Sequence, residues 1–493
     1  MSSPFLWLLG GFLAVQIGIA WALRGRAVDP AGFYLGDRRF GAFPTGLSLA
    51  ATTIGASAIL TQGELVYTHG LAGVWMDLSG ALGLAALAVW LVPRVRQGAR
   101  TSLAEIAGAL FGPGVRLTGA LLIVMAEVGW LALQLRGAEA ILVASGEVRP
   151  EWALALSVAT VLVATALGGQ HAVTWGDVVQ FCVMGAGLLL VALPAALPVA
   201  LGAAATPGAG AESGPAGGQA VPGWNFPWGD GWPPSRSLEM LVMVGLPHLV
   251  GSDVYAKVLA ARDEIAARRG TLFAAGAKLV FGLTISIIAL AAARALPGLE
   301  PAAAAVPAYL RVALPGGLHL VALLALMATV LSTANTVLLT ATTIVLNDLM
   351  PAAGPGRVAR SAPWRPPQRL TRWLTAGALT TLSVLLATRL STMMAIFTWS
   401  YALFAAGLSL PILAGLLLGG RLPRRAAHAG MLAGAVSAAA AGAAGLRLPV
   451  AYGLAACAAG MILFWRRAGG GCAPGGGGPA QPPPESNGSS FGI

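Results

Sequence analysis

Long apolar runs recur along almost the whole chain, and they restrict it to folds built inside a membrane. Of its 493 residues, 57% are hydrophobic and 10% are charged, which is more apolar surface than a soluble domain of this size can bury. We predict an all-α polytopic membrane protein with about 13 transmembrane helices, counted as runs of about 18 or more mostly apolar residues. These spans lie near 5–23, 42–68, 70–93, 117–145, 150–168, 177–202, 236–258, 269–293, 316–347, 370–388, 391–419, 425–445 and 449–465.

Basic residues alternate between dense and sparse loops. With the N-terminus outside, the inner loops and their edges hold 22 of the 30 Lys and Arg residues, and the outer loops hold six. The positive-inside rule therefore predicts an outer N-terminus and a cytoplasmic C-terminus in the plasma (inner) membrane. The net charge of +11 then reflects membrane topology, and we predict no nucleic-acid partner.

Two segments differ in composition from the spans. Residues 203–234 are rich in Gly, Ala and Pro and end in an aromatic stretch, which predicts a flexible outer loop. Residues 468–493 form a Gly/Pro/Ser tail that we expect to be disordered in the cytoplasm. We therefore expect one transmembrane transporter domain over residues 1–467.

The run at 328–348 carries a polar stripe along an otherwise apolar helix. Its members step by three or four residues, with Thr333 widening the stripe beside Ser332. They are Thr329, Ser332, Thr336, Thr340, Thr343 and Asn347. A hydroxyl in hydrocarbon needs a partner, so the full stripe predicts a polar path or an ion site inside a bundle. The alternative is that each hydroxyl bonds to its own i−4 carbonyl and serves packing.

Two spans are interrupted by small or helix-breaking residues. The span at 42–68 contains Gly55 within a run of small and hydroxylated residues that includes Ser57. The span at 236–258 contains Gly245, Pro247 and Gly251. Two such spans, five helices apart, indicate a transporter built from inverted repeats, with unwound backbone that offers carbonyls to a cation.

Acidic residues inside spans suggest functional contacts. Asp77 lies in the third span without an acidic or basic partner nearby in sequence, so we predict a solute or coupling contact there. Glu127 raises the same question. Arg136 and Glu139 are spaced i,i+3 and are expected to neutralise each other. The segments Thr174–Asp177 and Ser102–Glu105 match the helix-capping pattern, and both are interpreted as structural.

The sequence lacks several motifs that mark binding or catalytic sites. The two lysines, Lys257 and Lys278, do not follow a glycine, so no phosphate-binding loop is present. Three cysteines and five scattered histidines, including His69 and His248, show no metal-ligand spacing. We therefore predict no cofactor and no enzymatic activity, and a transporter driven by an ion gradient.

Four stretches of the chain resemble the sodium:solute symporter family, which includes the sodium/proline and sodium/glucose symporters. The resemblance runs from about Tyr34 to Gly419. The stretches are YLGDRRFGAFPTGLSLAATTIGASA, GGQHAVTWGDVVQ, GSDVYAKVLAARDEIAARRG and LSTANTVLLTATTIVLNDL. In the second, Gly176 stands where the family usually has Thr.

The resemblance implies a five-plus-five inverted repeat of the leucine-transporter type over about residues 42–419. It also implies a sodium site between the second and ninth spans. Its ligands would be the carbonyls of Ala51, Ile54 and Thr329 and the hydroxyls of Ser332 and Thr333. We assign solute contacts to Thr53, Ser57 and Asp77. Thr53 stands at a position that is acidic in the proline carriers and amide in the glucose carriers.

These observations together predict sodium-coupled symport of a small organic solute, with an amino acid or a small carboxylate favoured. The expected partners are the solute, the sodium ion and the lipid bilayer, with no obligate protein partner. Two alternatives stay open. One is coupling to protons through Asp77 or Glu127, and the other is a sensor or scaffold that keeps the transporter fold.

Overall fold

The part of the chain that the structure describes is mostly helical. The computed structural model describes residues 3–26, 30–97, 100–165, 169–203, 223–229, 231–350, 367–390, 392–418, 421–446 and 448–469. Among these residues we number the main helices α1 Pro4–Leu23, α2 Ala42–Thr53, α3 Ser57–His69, α4 Leu71–Val95, α5 Pro113–Ser145, α6 Pro150–Thr165, α7 Gly169–Ala200, α8 Pro234–Ala260, α9 Glu264–Ala295, α10 Leu318–Leu349, α11 Pro367–Arg389, α12 Met393–Leu418, α13 Arg424–Ala443 and α14 Pro449–Gly469. Shorter helices at Pro30–Leu35, Leu103–Phe111 and Ala302–Ala313 lie between them.

The predicted spans coincide with these helices, although fewer of the helices are long enough to cross a membrane. Within the described residues, ten helices are long and apolar enough to cross a membrane, and α2 with α3 makes an eleventh as one bent span. The predicted spans at 150–168 and 449–465 correspond to the shorter apolar stretches Pro150–Leu162 and Pro449–Trp465. Most of the predicted outer loop, 204–222, and the tail from residue 470 lie outside the described residues.

Helix α10 forms the centre of the bundle. In its most apolar window 89% of the residues are buried, against 22% for both α1 and α11. A helix that is apolar on nearly every face is typically buried, with neighbouring helices packed around it on all sides. The polar stripe of α10 is therefore enclosed by protein.

Two of the predicted spans are interrupted by a break in the helix, as their small residues predicted. Helices α2 and α3 meet at 55°, and Ile54 at the break has φ −110° and ψ 81°. A Cβ atom on Gly55 would lie 2.6 Å from Thr333 Oγ1, so this close approach of α10 requires glycine. Helix α8 is broken at Gly251, whose ψ of 140° is extended.

The segments flanking the two broken helices are joined by main chain. Phe40, just before α2, forms an isolated parallel bridge with Ala261, just after α8. The Arg262 N–H donates to the Phe40 carbonyl at 2.8 Å. This contact ties the start of the first broken helix to the end of the second.

The described end of the predicted outer loop is anchored on the bundle. Asn225 Nδ2 donates to the carbonyl of His69 at 3.0 Å, and Trp75 Nε1 donates to the carbonyl of Pro227 at 2.8 Å. The Phe226 ring stacks on Trp75 with the centroids 6.1 Å apart. Residues 223–229 therefore pack where α3 meets α4.

Candidate cation site and solute cavity

The broken end of α2 presents three successive carbonyls to neighbouring helices. The Ser332 hydroxyl donates to the carbonyl of Ala51 at 2.7 Å. The Thr333 hydroxyl donates to the carbonyl of Thr52 at 2.8 Å. On the opposite side, Lys278 Nζ of α9 donates to the carbonyl of Thr53 at 2.7 Å. A helix end normally leaves its last carbonyls unpaired, and here side chains from α10 and α9 satisfy them.

Four of the five predicted sodium ligands lie together at this break. Ser332 Oγ and Thr333 Oγ1 also donate to the Thr329 carbonyl, at 2.9 and 3.2 Å, so two carbonyls share the Ser332 hydroxyl. Ile54, the fifth, is fully buried at the break beside Gly55. Carbonyl and hydroxyl oxygens on two non-adjacent helices make a donor set that suits a hard monovalent cation. The assignment of these five residues as sodium ligands stays a prediction.

The polar stripe of α10 divides into two kinds of hydroxyl. Thr329 and Thr343 donate to carbonyls of their own helix, at Leu326 O and Leu339 O, both at 2.7 Å. Ser332 and Thr333 bond within α10 at the Thr329 carbonyl and also reach across to α2. Thr336 reaches α2 as well, with its hydroxyl 3.1 Å from that of Thr52. Bonds within the helix therefore account for Thr329 and Thr343, whereas the hydroxyls at the break also bond to a second helix.

A cavity adjoins the broken end of α2. The empty space within it, counted together with its opening to solvent, is about 460 Å³. The predicted solute residues Thr53 and Ser57 line it, together with Thr52, Gly55 and Thr333. The cavity is also lined by Trp130, Gln134, His248, Asp253 and Tyr401. A solute in this cavity would lie beside the proposed cation site.

A second cavity lies further along α10. Thr340 and Thr343 of the stripe line it with Tyr34, Ser102, Gln170 and Ser252. The stripe thus extends from the α2 break to this second cavity. Polar side chains accordingly border both cavities along one helix.

Asp77 has a partner that is distant in the sequence. Lys278 Nζ lies 2.7 Å from Asp77 Oδ1, and both side chains are almost completely buried. Gln62 supports the pair, because its Oε1 accepts from the Asp77 N–H at 2.9 Å. A Cβ atom on Gly80 would lie within 3.1 Å of both Lys278 and His248, so the pair borders the histidine that lines the cavity. Asp77 thus stands behind the cavity wall, and its role toward the solute stays a prediction.

A second buried lysine pair was missed by the sequence reasoning. The prediction that Thr174–Asp177 caps a helix is wrong, because α7 begins at Gly169 and these residues lie within it. Asp177 instead accepts from Lys257 Nζ at 2.8 Å and from the Ser48 hydroxyl at 2.6 Å. An intramembrane lysine needs an anion, and that requirement was the available signal for both lysine pairs.

The other structural interpretations are confirmed. Ser102 caps its helix by accepting from the Glu105 N–H at 3.0 Å. Arg136 and Glu139 form an ion pair at 2.6 Å.

Glu127 is fully buried, and its Oε1 accepts from the hydroxyl of Ser252.

Comparison with known proteins places the chain in a family. Residues 33–436 match the model of the sodium:solute symporter family. The sodium/iodide cotransporter of Homo sapiens is 31% identical over 180 residues, which are 36% of this chain and 27% of that protein. The sodium-dependent multivitamin transporter of Oryctolagus cuniculus is 33% identical over 183 residues, 36% of this chain and 28% of that protein. The match thus spans little more than a quarter of the length of these curated relatives.

Solved structures show the same fold. A Na⁺-coupled sialic acid symporter in a substrate-bound outward-open state superposes with a TM-score of 0.74 at 18% identity, covering 94% of this chain and 97% of that one. A nucleobase-cation-symport-1 family transporter in a closed conformation gives 0.56 at 13% identity, covering 89% and 94%. The predicted leucine-transporter type of fold is therefore confirmed. With its family model matched over most of its length, the chain belongs to the sodium:solute symporter family.

Proposed function

We propose that the chain is a sodium-coupled symporter that carries a small organic solute into the cell by alternating access. The observation that carries this proposal is the pairing of Ser332 and Thr333 with the carbonyls of Ala51 and Thr52, at 2.7 and 2.8 Å, next to the central cavity. Family membership supports the same conclusion.

Sodium would bind at the break in α2 and stabilise one arrangement of the two broken helices. A hydroxyl that now donates to a carbonyl can turn its lone pairs toward an ion, so the same oxygens serve both states. Sodium shifts the conformational equilibrium only to the extent that it binds one state more tightly than the other. A solute in the adjacent cavity acts on the same equilibrium, so the binding of each ligand affects the binding of the other. The coupling of the two ligands is therefore a property of one shared site.

We assign the solute to the central cavity, with Thr53 and Ser57 in contact and Asp77 acting from behind the wall. An amino acid or a small carboxylate fits the mixture of hydroxyl, amide and carboxylate groups around the cavity. We also infer a plasma-membrane location with the N-terminus outside and the C-terminus in the cytoplasm, supported by the distribution of basic residues.

The test has a binding arm and a transport arm. Purified protein should bind radioactive sodium, and unlabelled sodium should compete far better than potassium. In proteoliposomes, an inward sodium gradient should drive uptake of at least one compound from a library of amino acids, carboxylates and sugars. Uptake that ignores sodium, lithium and potassium at fixed pH would remove the proposal.

Proton coupling is a second candidate, and the burial of Glu127 favours it. This carboxyl lies in α5 with Oε1 held by Ser252 and Oε2 without a hydrogen-bond partner among the described residues. Under proton coupling, Glu127→Gln should abolish pH-driven uptake while sodium has no effect. Under sodium coupling, the same variant keeps sodium-driven accumulation. Accumulation in either case excludes a sensor or scaffold without transport.

A further inference from the structure

The central cavity contains a carboxylate that the sodium site does not use. Asp253 lines the cavity and lies in the first turn of the second half of α8, directly after the break at Gly251. Its neighbour Ser252 donates to Glu127, so a second carboxylate lies immediately behind it. Asp253 therefore stands on the wall of the cavity that Thr53, Ser57 and Thr333 also line, and Glu127 lies behind it.

The nearby buried cations are already paired. Lys278 lies 2.7 Å from Asp77, and Lys257 lies 2.8 Å from Asp177. Their fields reach Asp253, but among the residues that the structure describes neither Asp253 nor Glu127 has a salt-bridge partner within 4.0 Å. An unpaired carboxylate in a low-dielectric interior is unfavourable, so this wall attracts a cationic group that enters the cavity.

A second, independent feature of the same wall points to a ligand. Trp130 is only 6% exposed and lines the cavity, yet its indole Nε1 has no hydrogen-bond partner among the described residues. An indole N–H is a donor only, and a buried one usually finds an acceptor. The residues that line the cavity therefore include an unsatisfied donor, Trp130 Nε1, and an acceptor, Asp253.

Aromatic rings complete this part of the wall. The rings of Trp130 and Tyr401 meet edge to face with centroids 5.4 Å apart, and Phe397 supports Tyr401 at 4.4 Å. Ring faces attract alkylammonium groups, and the attraction increases where water is excluded. This surface suits a positively charged nitrogen better than it suits a bare anion.

We propose that the solute is a zwitterion of the amino-acid type. Its ammonium group binds Asp253 beside the Trp130 and Tyr401 rings, and its oxygen-bearing group accepts from Trp130 Nε1. The inference rests on the proposed symport function and specifies the solute class that the same cavity takes. It also selects the amino acid over the small carboxylate.

The experiment measures thermal unfolding of the purified full-length protein in sodium and in potassium. The probes are the individual amino acids, each compared with its N-acetyl derivative, which keeps the carboxylate and loses the positive charge. At least one free amino acid should raise the midpoint, and its N-acetyl derivative should not. Asp253→Asn should weaken the apparent affinity at least tenfold and leave the shift caused by sodium alone unchanged.

Two further variants make the result specific. Trp130→Phe keeps a ring and removes the N–H, and it should weaken amino-acid binding while the sodium shift stays. Asp263→Asn is the matched control, because this exposed carboxylate caps α9 outside the cavity and should have no effect on binding. The sodium shift reports that each variant is folded.

The possible failures are distinguishable. Absence of a shift from every free amino acid, or equal binding of the N-acetyl derivatives, overturns the zwitterion assignment and leaves sodium coupling intact. Binding that is unchanged in Asp253→Asn also overturns it. A shift by amino acids without any effect of sodium would support the zwitterion site and instead overturn the proposed symport.

Discussion

The two sides of the break in α2 satisfy neighbouring carbonyls in different ways. On the α10 side, the neutral hydroxyls of Ser332 and Thr333 donate to Ala51 and Thr52. On the α9 side, the ammonium of Lys278 donates to Thr53 and is neutralised by Asp77. A hydroxyl can exchange its hydrogen bond for an ion, whereas the lysine is already held by its own carboxylate partner. The comparison separates an exchangeable half of the break from a fixed half.

The largest effect is expected on the fixed half. Lys278→Met leaves Asp77 as an uncompensated buried charge, and removal of one partner of a buried pair costs about 3–5 kcal/mol. Expression and thermal stability should fall sharply. The double variant Lys278→Met with Asp77→Asn should recover part of the loss, as measured by a double-mutant cycle. Additive losses in the cycle would show that the two residues do not act as a pair.

The next effect is expected on the exchangeable half. Ser332→Ala or Thr333→Ala removes a proposed ligand, so apparent sodium affinity should fall about tenfold or more, equal to ~1.4 kcal/mol or more. Sodium binding to purified protein measures this, with Thr343→Ala as the control because its hydroxyl bonds within α10. Equal loss of folded protein and of activity would instead favour a packing role.

A third effect tests whether the fixed half reaches the solute. Asp77→Asn keeps the shape of the side chain and removes the counter-ion of Lys278, next to His248 on the cavity wall. Solute uptake per folded protein should fall about fivefold, equal to ~1 kcal/mol. Sodium affinity should change less than in the hydroxyl variants. Unchanged uptake kinetics would remove Asp77 from the solute site.

The smallest effect is expected at the edge of the break. Thr336→Val removes the hydroxyl pair with Thr52 at 3.1 Å, which lies outside the proposed ligand set. A neutral hydrogen bond contributes about 0.5–1.5 kcal/mol to stability, and the low end applies to this long contact. Thermal stability should decrease slightly at constant sodium affinity. A loss of sodium affinity as large as that of Ser332→Ala would extend the ligand set to Thr336.

Local sequence patterns were sufficient to locate the exchangeable half. The spacing of Ser332, Thr333 and Thr336 placed them on one helix face, and Gly55 marked the break opposite them. Both features are periodic or local, so a single sequence contains them. The ligand assignment itself came from the family resemblance, because periodicity alone does not pair α2 with α10.

The fixed half was beyond such patterns. Lys278 and Asp77 lie 201 residues apart, and Lys257 and Asp177 lie 80 apart, so their pairing depends on how the helices pack. Asp177 also matched a capping pattern three residues after Thr174, and the local pattern gave the wrong role because α7 starts earlier, at Gly169. Asp253 carried the same signal as Asp77, an acidic residue inside a predicted span, and was overlooked. Trp130 carried no sequence signal, since its importance comes from the cavity that it lines.

The main-chain bridge between Phe40 and Ala261 has a mechanical consequence. It joins the start of α2 to the end of α8, and the Arg262 N–H donates the hydrogen bond. Neither helix end can move away from the other without breaking this hydrogen bond. We therefore expect the two helix ends to move together as one unit.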